Sequence, residues 1–379
     1  MSGINHRLVL RTHDGEELAI LTGLVKWDLI RVQNNIGWFT ITASDEFDDR
    51  WPHTDRLVEF WRQPVGGENK LLAVGFTRYW EWENLEGRDV LRFGGPDQVE
   101  LLERRIIGYY KGESESDKTG PADDVIKAIV RENMGALAGN DWHGRPRRYP
   151  AVNFSVEPDF GDGHNIQREF SWRNVLPVIQ EMADESAERG TPLFFDNVPV
   201  APAQFIFRTW TGVRGIDRSI IGGVAPIIFS LEAGNLANPL LRFDYTEEIN
   251  YVWGGGQGEG AARDMDPEND QVREHLTIWN KREAFQDARE ETVHAGVTHK
   301  AFMRMQAGLP KVKFSGELLD TPQSRFGIDW DYGDKVTVRY RGMEFSGRVN
   351  SFSINVNEQG TERISAKVEI TEAIEGHPT

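Results

Sequence analysis

Cysteine is absent from this chain of 379 residues. Without thiolates the protein can form no disulfide framework, no cysteine nucleophile and no zinc or iron-sulfur site that relies on sulfur ligands. Long apolar runs are missing too, because the longest uncharged stretch, SIIGGVAPIIFSL at 219–231, is too short to cross a bilayer. The first residues lack a signal-peptide pattern. We therefore expect a soluble protein that is not exported by a cleaved signal.

Cations are scarce relative to acids, with 43 Lys and Arg residues against 60 Asp and Glu residues and a formal net charge of -17. Phosphate backbones and anionic lipids bind proteins through clustered Lys and Arg, which replace counterions. The composition therefore argues against a general DNA-binding or membrane-surface protein. The basic cluster HGRPRRYP, at 143–150, suits nucleic acid or a protein interface, and we favour the interface.

Aromatic residues are plentiful instead, and six of the twelve Trp residues fall between Trp27 and Trp82. Across residues 6–95, alternating apolar and polar positions predict about seven strands, in a barrel or a sandwich. In FTRYWEWEN, Phe76, Trp80 and Trp82 share one strand face. We expect this face to lie in the core of the first domain rather than to form a platform for sugars.

Helical and strand patterns alternate in the rest of the chain. Pro121 opens one predicted helix, whose inner face is Val125, Ile126, Ile129 and Val130. Ser171 begins another, in which Pro177 predicts a kink or a later start. The polar stretch 112–120 is typical of a loop or linker. Two more helices are predicted from the apolar sets Val272/Leu276/Trp279 and Val293/Val297/Phe302/Met305, and the final residues alternate as a meander of strands.

The segment YVWGGGQGEGAAR, at 251–263, contains the spacing G-x-G-x-x-A at Gly256, Gly258 and Ala261. A dinucleotide-binding loop with this spacing requires a helix that opens directly out of it, since the helix N-terminus carries the anion site. Here AARDMDPEND follows, which is acidic, contains a proline and does not begin an amphipathic helix. We therefore expect no cofactor, and a backbone that packs closely or bends.

Other candidate sites are weaker. DMDPEND, at 264–270, places acids at alternating positions as a calcium loop does, but Asn269 and His275 stand where an EF-hand needs Gly and Glu, so we expect a solvated lead-in to a helix. His294 and His299 are five residues apart, which is not the zinc-hydrolase spacing. No catalytic residue and no metal ligand is singled out.

Several stretches nevertheless resemble a known family. Gly256, Gly258 and Gly260 lie in a Gly-Gln-Gly-Glu-Gly segment that is followed by Arg263, and Asp287 and Arg289 lie in a later Glu-x-x-x-Asp-Ala-Arg segment. Their order resembles the tail-tip hub, or minor tail, family of long-tailed phages that infect actinobacteria and related hosts. The helix beginning SWRNVLPVIQEM and the C-terminal DYGDKVTVRYRG are similar to that family as well.

The resemblance implies an α+β, β-rich fold with two tail-tube-like antiparallel β-barrels and mixed α/β inserted and linking domains. It implies five segments: an N-terminal barrel (1–110), a mixed α+β domain (111–235), the first part of a second barrel (236–263), a helical insertion (264–308), and the rest of that barrel with the C-terminal tail (309–379). The glycine segment then lies where the chain leaves the second barrel, as a structural joint.

The resemblance also implies a function. Three copies would form a pseudo-hexameric ring at the tail tip of a virion assembled in the host cytoplasm. The ring would contact the distal tail protein ring, the tape measure protein and tail fibre or spike proteins, and genomic DNA would pass through its lumen. An acidic lumen would repel DNA weakly and let it slide. Two other hypotheses remain open: a tail-associated cell-wall hydrolase and a carbohydrate-binding receptor module.

Overall fold

The computed structural model describes residues 4–44, 48, 51–85, 87–108, 116–170, 172–222, 224–291 and 294–370. The chain divides into two compact units. Unit 1 combines Met1–Pro239 with Gly316–Glu369, and unit 2 centres on Leu240–Ser315. The five segments that the family resemblance implies stay a prediction, because the two units are defined by their compactness and do not test those boundaries.

Strands fill the N-terminal part of unit 1. The described residues up to Pro96 form β1 (Asn5–Arg11), β2 (Glu17–Ile20), β3 (Leu24–Val32), β4 (Asn35–Ala43), β5 (Leu57–Gln63), β6 (Lys70–Phe76), β7 (Tyr79–Leu85) and β8 (Arg88–Pro96). One sheet has the order β2-β1-β5-β6, while β3, β4, β8 and β7 lie side by side in a larger sheet. The predicted β-rich first domain is confirmed in its strands.

The prediction that Trp80 and Trp82 lie in the core is wrong, since their side chains are 42% and 47% exposed. Their strand, β7, pairs with β8 so that Trp80 is opposite Phe93 and Trp82 is opposite Leu91. Phe93 and Leu91 are fully buried, so the alternation did identify the core-facing side of the sheet. The two Trp side chains are exposed because β7 is the last strand of this sheet.

The middle of the chain adds helices and shorter strands to unit 1. They are α1 (Glu100–Glu103), β9 (Ser116–Pro121), α2 (Ala122–Asn133), β10 (Phe154–Val156), β11 (Asn165–Phe170), α3 (Val175–Glu188), β12 (Leu193–Ala201), β13 (Gln204–Thr211), β14 (Asp217–Arg218) and β15 (Ile228–Ser230). Residues 112–115 of the predicted linker lie outside the described residues. Its remainder is wrong as a linker, because β9 pairs antiparallel with β11.

Helices α2 and α3 form one core of unit 1 with strands β12 and β13. The predicted inner face of α2 is confirmed, since Val125, Ile126, Ile129 and Val130 are all buried. Helix α3 begins at Val175, which places Pro177 in the first turn, where a missing N–H costs little. The later start is therefore the correct alternative.

Unit 2 is built on a small sheet and one long helix. The chain enters it within β16 (Leu236–Asp244) and continues through β17 (Tyr251–Gly255), β18 (Met265–Asn269), α4 (Gln271–Glu274), β19 (Glu283–Asp287) and α5 (His294–Ala307). Strand β17 is central, antiparallel to β18 and parallel to β19. Helix α5 packs on β17 and β18 through the buried side chains Val297, Ala301 and Met305.

Residues 264–308, proposed as a helical insertion, contain the strands β18 and β19 as well as the helices α4 and α5. The acidic stretch expected to lead into a helix is β18. The predicted helix over Val272, Leu276 and Trp279 is reduced to the four residues of α4. Phe302, assigned to the inner stripe, is 43% exposed since it lies about 100° around α5 from Ala301. Val293 lies outside the described residues.

The C-terminal strands return to unit 1. They are β20 (Lys311–Leu318), in which the chain leaves unit 2, β21 (Lys335–Tyr340), β22 (Met343–Val356) and β23 (Glu362–Ile370). Strand β22 pairs antiparallel with β3, so strands from both ends of the chain share one eleven-stranded sheet. No sheet in the described ranges closes on itself as a barrel. None of the described helices has the length and apolar character that a membrane crossing requires.

Candidate functional site

The glycine segment is the loop of a β-hairpin between β17 and β18. Two backbone hydrogen bonds close it, from Gly256 N to Asp264 O at 2.7 Å and from Asp264 N to Gln257 O at 2.8 Å. Inside the loop the chain makes one 3-10 turn at Gly260–Ala262 and then returns as a strand. No helix opens out of the segment, so the anion site of a dinucleotide loop is not formed here.

Glycines inside the loop are required by backbone conformation. Gly258 has φ +96° and Gly260 has φ +55°, both in the left-handed region that side chains disfavour. A Cβ on Gly258 would also lie 2.4 Å from the carbonyl oxygen of Ala262. The expected bend of the backbone is therefore observed at these two positions.

Glycines at the start of the segment are required by packing instead. A Cβ on Gly254 would lie 3.0 Å from the Cβ of Ala301, and one on Gly256 would lie 2.6 Å from Cγ2 of Val297. Both neighbours belong to α5. The helix can therefore approach the end of β17 closely only because these positions have no side chains.

Arg263 joins the two motifs that resemble the phage family. Its guanidinium donates to the carbonyl oxygens of Gly255 and Gly256 at 3.0 and 3.2 Å and to Oδ1 of Asp287 at 2.8 Å. Its Cζ lies 5.0 Å from the centre of the Phe285 ring. A Cβ on Gly255 would be 2.9 Å from that Cζ, so this glycine makes room for the arginine.

Asp287 is shared between two arginines. Burial alone would raise its pKa, but Arg289, and after it Arg263, lower the pKa below its usual value. Arg289 donates to Oδ1 of Asp287 from its backbone N at 3.3 Å and from Nε at 3.2 Å. The structure thus brings Gly256, Arg263, Asp287 and Arg289 together around one carboxylate, while their role as a joint stays a prediction.

An ion pair that the sequence does not predict lies beside this cluster. Nδ1 of His294 lies 2.8 Å from Oδ1 of Asp264, and Nε2 lies 3.6 Å from Oδ2 of Asp266. The hydrogen bond with Asp264 raises the pKa of His294. Asp264 and His294 are 30 residues apart in the sequence, and nothing in the sequence signals that they are in contact. No group of three or more His, Cys, Asp or Glu side chains in the described residues is arranged to hold a metal ion.

Unit 1 contains a buried ion network that the sequence did not indicate. Arg31, 2% exposed, donates from Nη1 to Oδ2 of Asp97 at 2.8 Å and from Nη2 to Oδ2 of Asp196 at 2.5 Å. Arg214 donates to the same oxygen of Asp196 and stacks over the Tyr332 ring at 4.3 Å. Burial raises the pKa of Asp97 to about 6, although Arg31 opposes the shift.

The arginine-rich loop at 143–150 contacts unit 1 rather than standing free. The backbone oxygen of Arg147 accepts a hydrogen bond from Nε of Arg105 at 3.3 Å, and the guanidinium of Arg105 lies 4.2 Å from the Tyr149 ring centre. Arg145 and Arg148 are exposed. Part of this basic cluster is therefore used inside the unit, as a structural contact.

Comparison with solved structures defines the class of protein. A 43 kDa tail protein of prophage MuSo2 from Shewanella oneidensis superposes with a TM-score of 0.60 at 14% identity, covering 96% of this chain and 98% of that one. A tail protein from Neisseria meningitidis MC58 gives 0.56 at 11% identity, with 96% of each chain covered. Prophage tail protein gp18 from Listeria monocytogenes EGD-e gives 0.53 at 11% identity, covering 96% and 94%. The chain has the fold of phage tail proteins.

The sequence defines the family within that class. Residues 10–368 match the family model described as Siphovirus ReqiPepy6 Gp37-like protein. The chain belongs to this siphovirus tail protein family, and the resemblance noted from the glycine and arginine motifs is confirmed. Among curated proteins, none matches the sequence.

Proposed function

We propose that this protein is a structural, non-catalytic subunit of the tail-tip hub of a long-tailed phage. Three copies form a ring that continues the tail tube, with two tube-like β-barrels per copy. Membership of a siphovirus tail protein family and the tail-protein fold support a tail structural role. The trimer, the barrels and the position at the tip are our proposal.

One structural observation carries the assembly. Among the described residues, the eleven-stranded sheet that joins strands from both ends of the chain stops at β7, whose outer edge pairs with no further strand. On its core-facing side that edge exposes Trp80 and Trp82. An open edge with large apolar side chains is a surface on which a strand of another subunit adds, since it supplies both backbone partners and apolar area.

The proposed hub role also implies the partners of the ring and the passage of genomic DNA through it. The ring contacts the distal tail protein ring and the tape measure protein on one side and fibre or spike proteins on the other, within the virion. Genomic DNA passes through the lumen transiently, and the net charge of -17 keeps it from adhering. Assembly takes place in the cytoplasm of the host.

The test is the position and copy number of the chain in assembled tails. An epitope tag on the chain should be found by immunogold labelling at the tail tip alone, and the purified protein should contain a species of about 129 kDa, three times 43.1 kDa. Label along the whole tube, or tails without the chain, would refute the hub role.

A carbohydrate-binding module is the second candidate, because the exposed Trp80 and Trp82 could stack on sugar rings. The two roles give opposite results in Trp80→Ala particles. Loss of tail assembly supports the hub, whereas intact tails that no longer adsorb to host cells support glycan binding.

A further inference from the structure

Copies of a chain with a formal net charge of -17 repel one another. Association of identical subunits is therefore favoured by a local surface whose cations are not already neutralised by carboxylates of the same chain. Unit 2 contains such a surface.

The surface is a cleft of about 910 Å³ that lies within unit 2. Its walls come from the end of β16, the start of β19, the last turns of α5 and the start of β20. We call it the cationic cleft, after the five side chains Lys281, Arg282, Arg304, Lys311 and Lys313 that line it.

Two of these cations are engaged within unit 2, each in a different way. Nζ of Lys281 lies 3.1 Å from Oε1 of Glu274 in an ion pair. Arg282 donates instead to carbonyl oxygens, those of Thr246 at 2.8 Å and Glu248 at 3.1 Å, so its full charge is not neutralised. Carbonyl contacts hold the guanidinium in place and leave it attractive to an anion.

The other three cations, Arg304, Lys311 and Lys313, are exposed and form no ion pair with any described residue. The cleft carboxylate Asp244 pairs at 2.7 Å with Arg242, which is outside the cleft lining. Hydrogen bonds from Thr246 lower the pKa of Asp244, and Lys313 also helps to lower it. The three cations therefore face solvent, and the carboxylate on which Lys313 acts already has an arginine partner. In an acidic protein this is the arrangement of a surface that receives negative charge.

A large apolar side chain stands at the rim of the cleft. Trp279 is 85% exposed and its neighbour Ile278 is 87% exposed. The loop that carries them is held by hydrogen bonds from Nδ2 of Asn250 to Asn280 O at 2.5 Å and from Arg282 N to Oδ1 of Asn250 at 2.8 Å. A fixed loop that presents a Trp beside arginines has the composition of a protein interface.

We propose that the cationic cleft, with Trp279 at its rim, binds an acidic segment of a second copy of this chain. The cleft is also lined by the carboxylates Glu247, Glu248 and Glu283, of which Glu248 pairs with Arg273 at 3.4 Å and Glu283 lies 3.8 Å from Nζ of Lys281. These carboxylates would repel the evenly spaced phosphates of a nucleic acid. A folded acidic surface can instead place its carboxylates opposite the cations of the cleft and away from these acids. The proposal rests on the proposed function, because a ring requires identical subunits to associate.

The test is self-association of the full chain, measured by sedimentation velocity at 50 and 500 mM NaCl. The variant Lys311→Glu/Lys313→Glu should raise the dissociation constant at low salt by at least about tenfold, and the constant of the wild type should rise similarly with salt. The matched control is Lys26→Glu/Lys367→Glu, which makes the same change in net charge at exposed positions of unit 1. The control should change the constant by less than about threefold.

A second variant separates interface contact from folding and from net charge. Trp279→Ala, at an exposed position, should keep the melting temperature and weaken association without changing its dependence on salt. A photo-crosslinking amino acid at position 279 should link two copies of this chain, and the cross-link should lie on an acid-rich peptide of the second copy. Cross-links to another tail protein alone would overturn the second-copy assignment.

Three further results would overturn the proposal: a wild type that is monomeric at both salt concentrations, association that does not respond to salt, or a Lys311→Glu/Lys313→Glu variant that associates as the control does. Tail labelling distinguishes these failures from failure of the hub role. If the chain is present at the tail tip but the cleft substitutions do not change its association, only this inference is refuted. If the chain associates through the cleft but is absent from tails, the hub role is refuted.

Discussion

Replacing Arg31 by Met should destabilise unit 1 strongly and in a pH-dependent way. Arg31 lies on β3 and is the cation between Asp97 and Asp196, with N–O distances of 2.8 and 2.5 Å. Arg31→Met preserves much of the side-chain length but leaves two buried carboxylates without this cation. Arg214 remains near Asp196 only.

The expected cost at pH 7 is about 3 to 5 kcal/mol, the range for removing one partner of a buried ion pair. The direct attraction at 2.8 Å is larger, about 6 kcal/mol at an effective dielectric constant of about 20, but desolvation of Arg31 offsets part of it. Since whole domains are stable by about 5 to 15 kcal/mol, the variant should lie near its unfolding limit.

The sign of the pH dependence follows from Asp97. Burial raises its folded pKa to about 6, above the unfolded value of 3.8, so the folded state binds more protons between these values. Stability from this group is fully present below pH 3.8 and is lost as pH rises through about 6. Removing Arg31 raises this pKa further, so the cost of the substitution should be largest at pH 7 to 8 and smaller at pH 5.

Urea denaturation followed by tryptophan fluorescence at pH 5 and 7 measures both effects. The matched control is Arg92→Met, because Arg92 forms only surface pairs with Glu81 and Glu83 and should lose about 0 to 1 kcal/mol. A cost below about 1 kcal/mol for Arg31→Met at pH 7, or the same cost at both pH values, would refute the reasoning.

The remaining predictions test unit 2 and the edge of the large sheet. Gly256→Ala should lower the melting temperature through a loss of about 1 to 3 kcal/mol, because its Cβ would lie 2.6 Å from Cγ2 of Val297. The double variant Gly256→Ala/Val297→Ala should restore part of that loss. Equal melting temperatures of the single and the double variant in calorimetry would contradict the packing argument. NMR titration should find the pKa of His294 raised above 6.5, so the stability that protonated His294 contributes is lost as pH rises through this pKa. Asp264→Asn should return the pKa of His294 toward 6.5. A pKa that does not change in this variant would disprove the pairing. Trp80→Ala should keep the melting temperature of the wild type, and a large drop would show that this side chain is packed.

Much of the strand content could be predicted because alternation with period two is a local signal. The core strands β3, β4 and β8 were recognised, and so was the stripe of α2. The error at Trp80 had another cause. Alternation identifies the face of a strand, but burial also depends on whether a further strand lies beyond it, and strand order is not a local property.

The candidate site also has features that the sequence predicts and features that it does not. The close packing and bending of the glycine segment could be predicted, since glycine is the residue that tolerates both. That Arg263 would bind Asp287 could not, because the contact depends on β19 lying parallel to β17, and parallel neighbours are set by the whole fold. The longer helix predicted over Val272, Leu276 and Trp279 was wrong for a similar reason, because after α4 the carbonyl oxygen of Arg273 accepts a hydrogen bond from Nδ2 of Asn280, a side-chain contact that periodicity does not report.

A second buried ion network joins strands from the two ends of the chain. Arg62 on β5, 1% exposed, donates from Nε and Nη2 to the two carboxylate oxygens of Glu362 on β23, each at 2.8 Å, and from Nη1 to the carbonyl oxygen of Phe326 at 2.7 Å. Nε2 of His6 on β1 lies 2.6 Å from the same carboxylate. Burying these charges costs desolvation that an apolar core would avoid. A bidentate pair, however, fits in only one alignment of the strands. We infer that the network fixes how the C-terminal strand lies against the N-terminal sheet. In the proposed ring of identical copies this would matter, because every misalignment within one subunit is repeated in each of them.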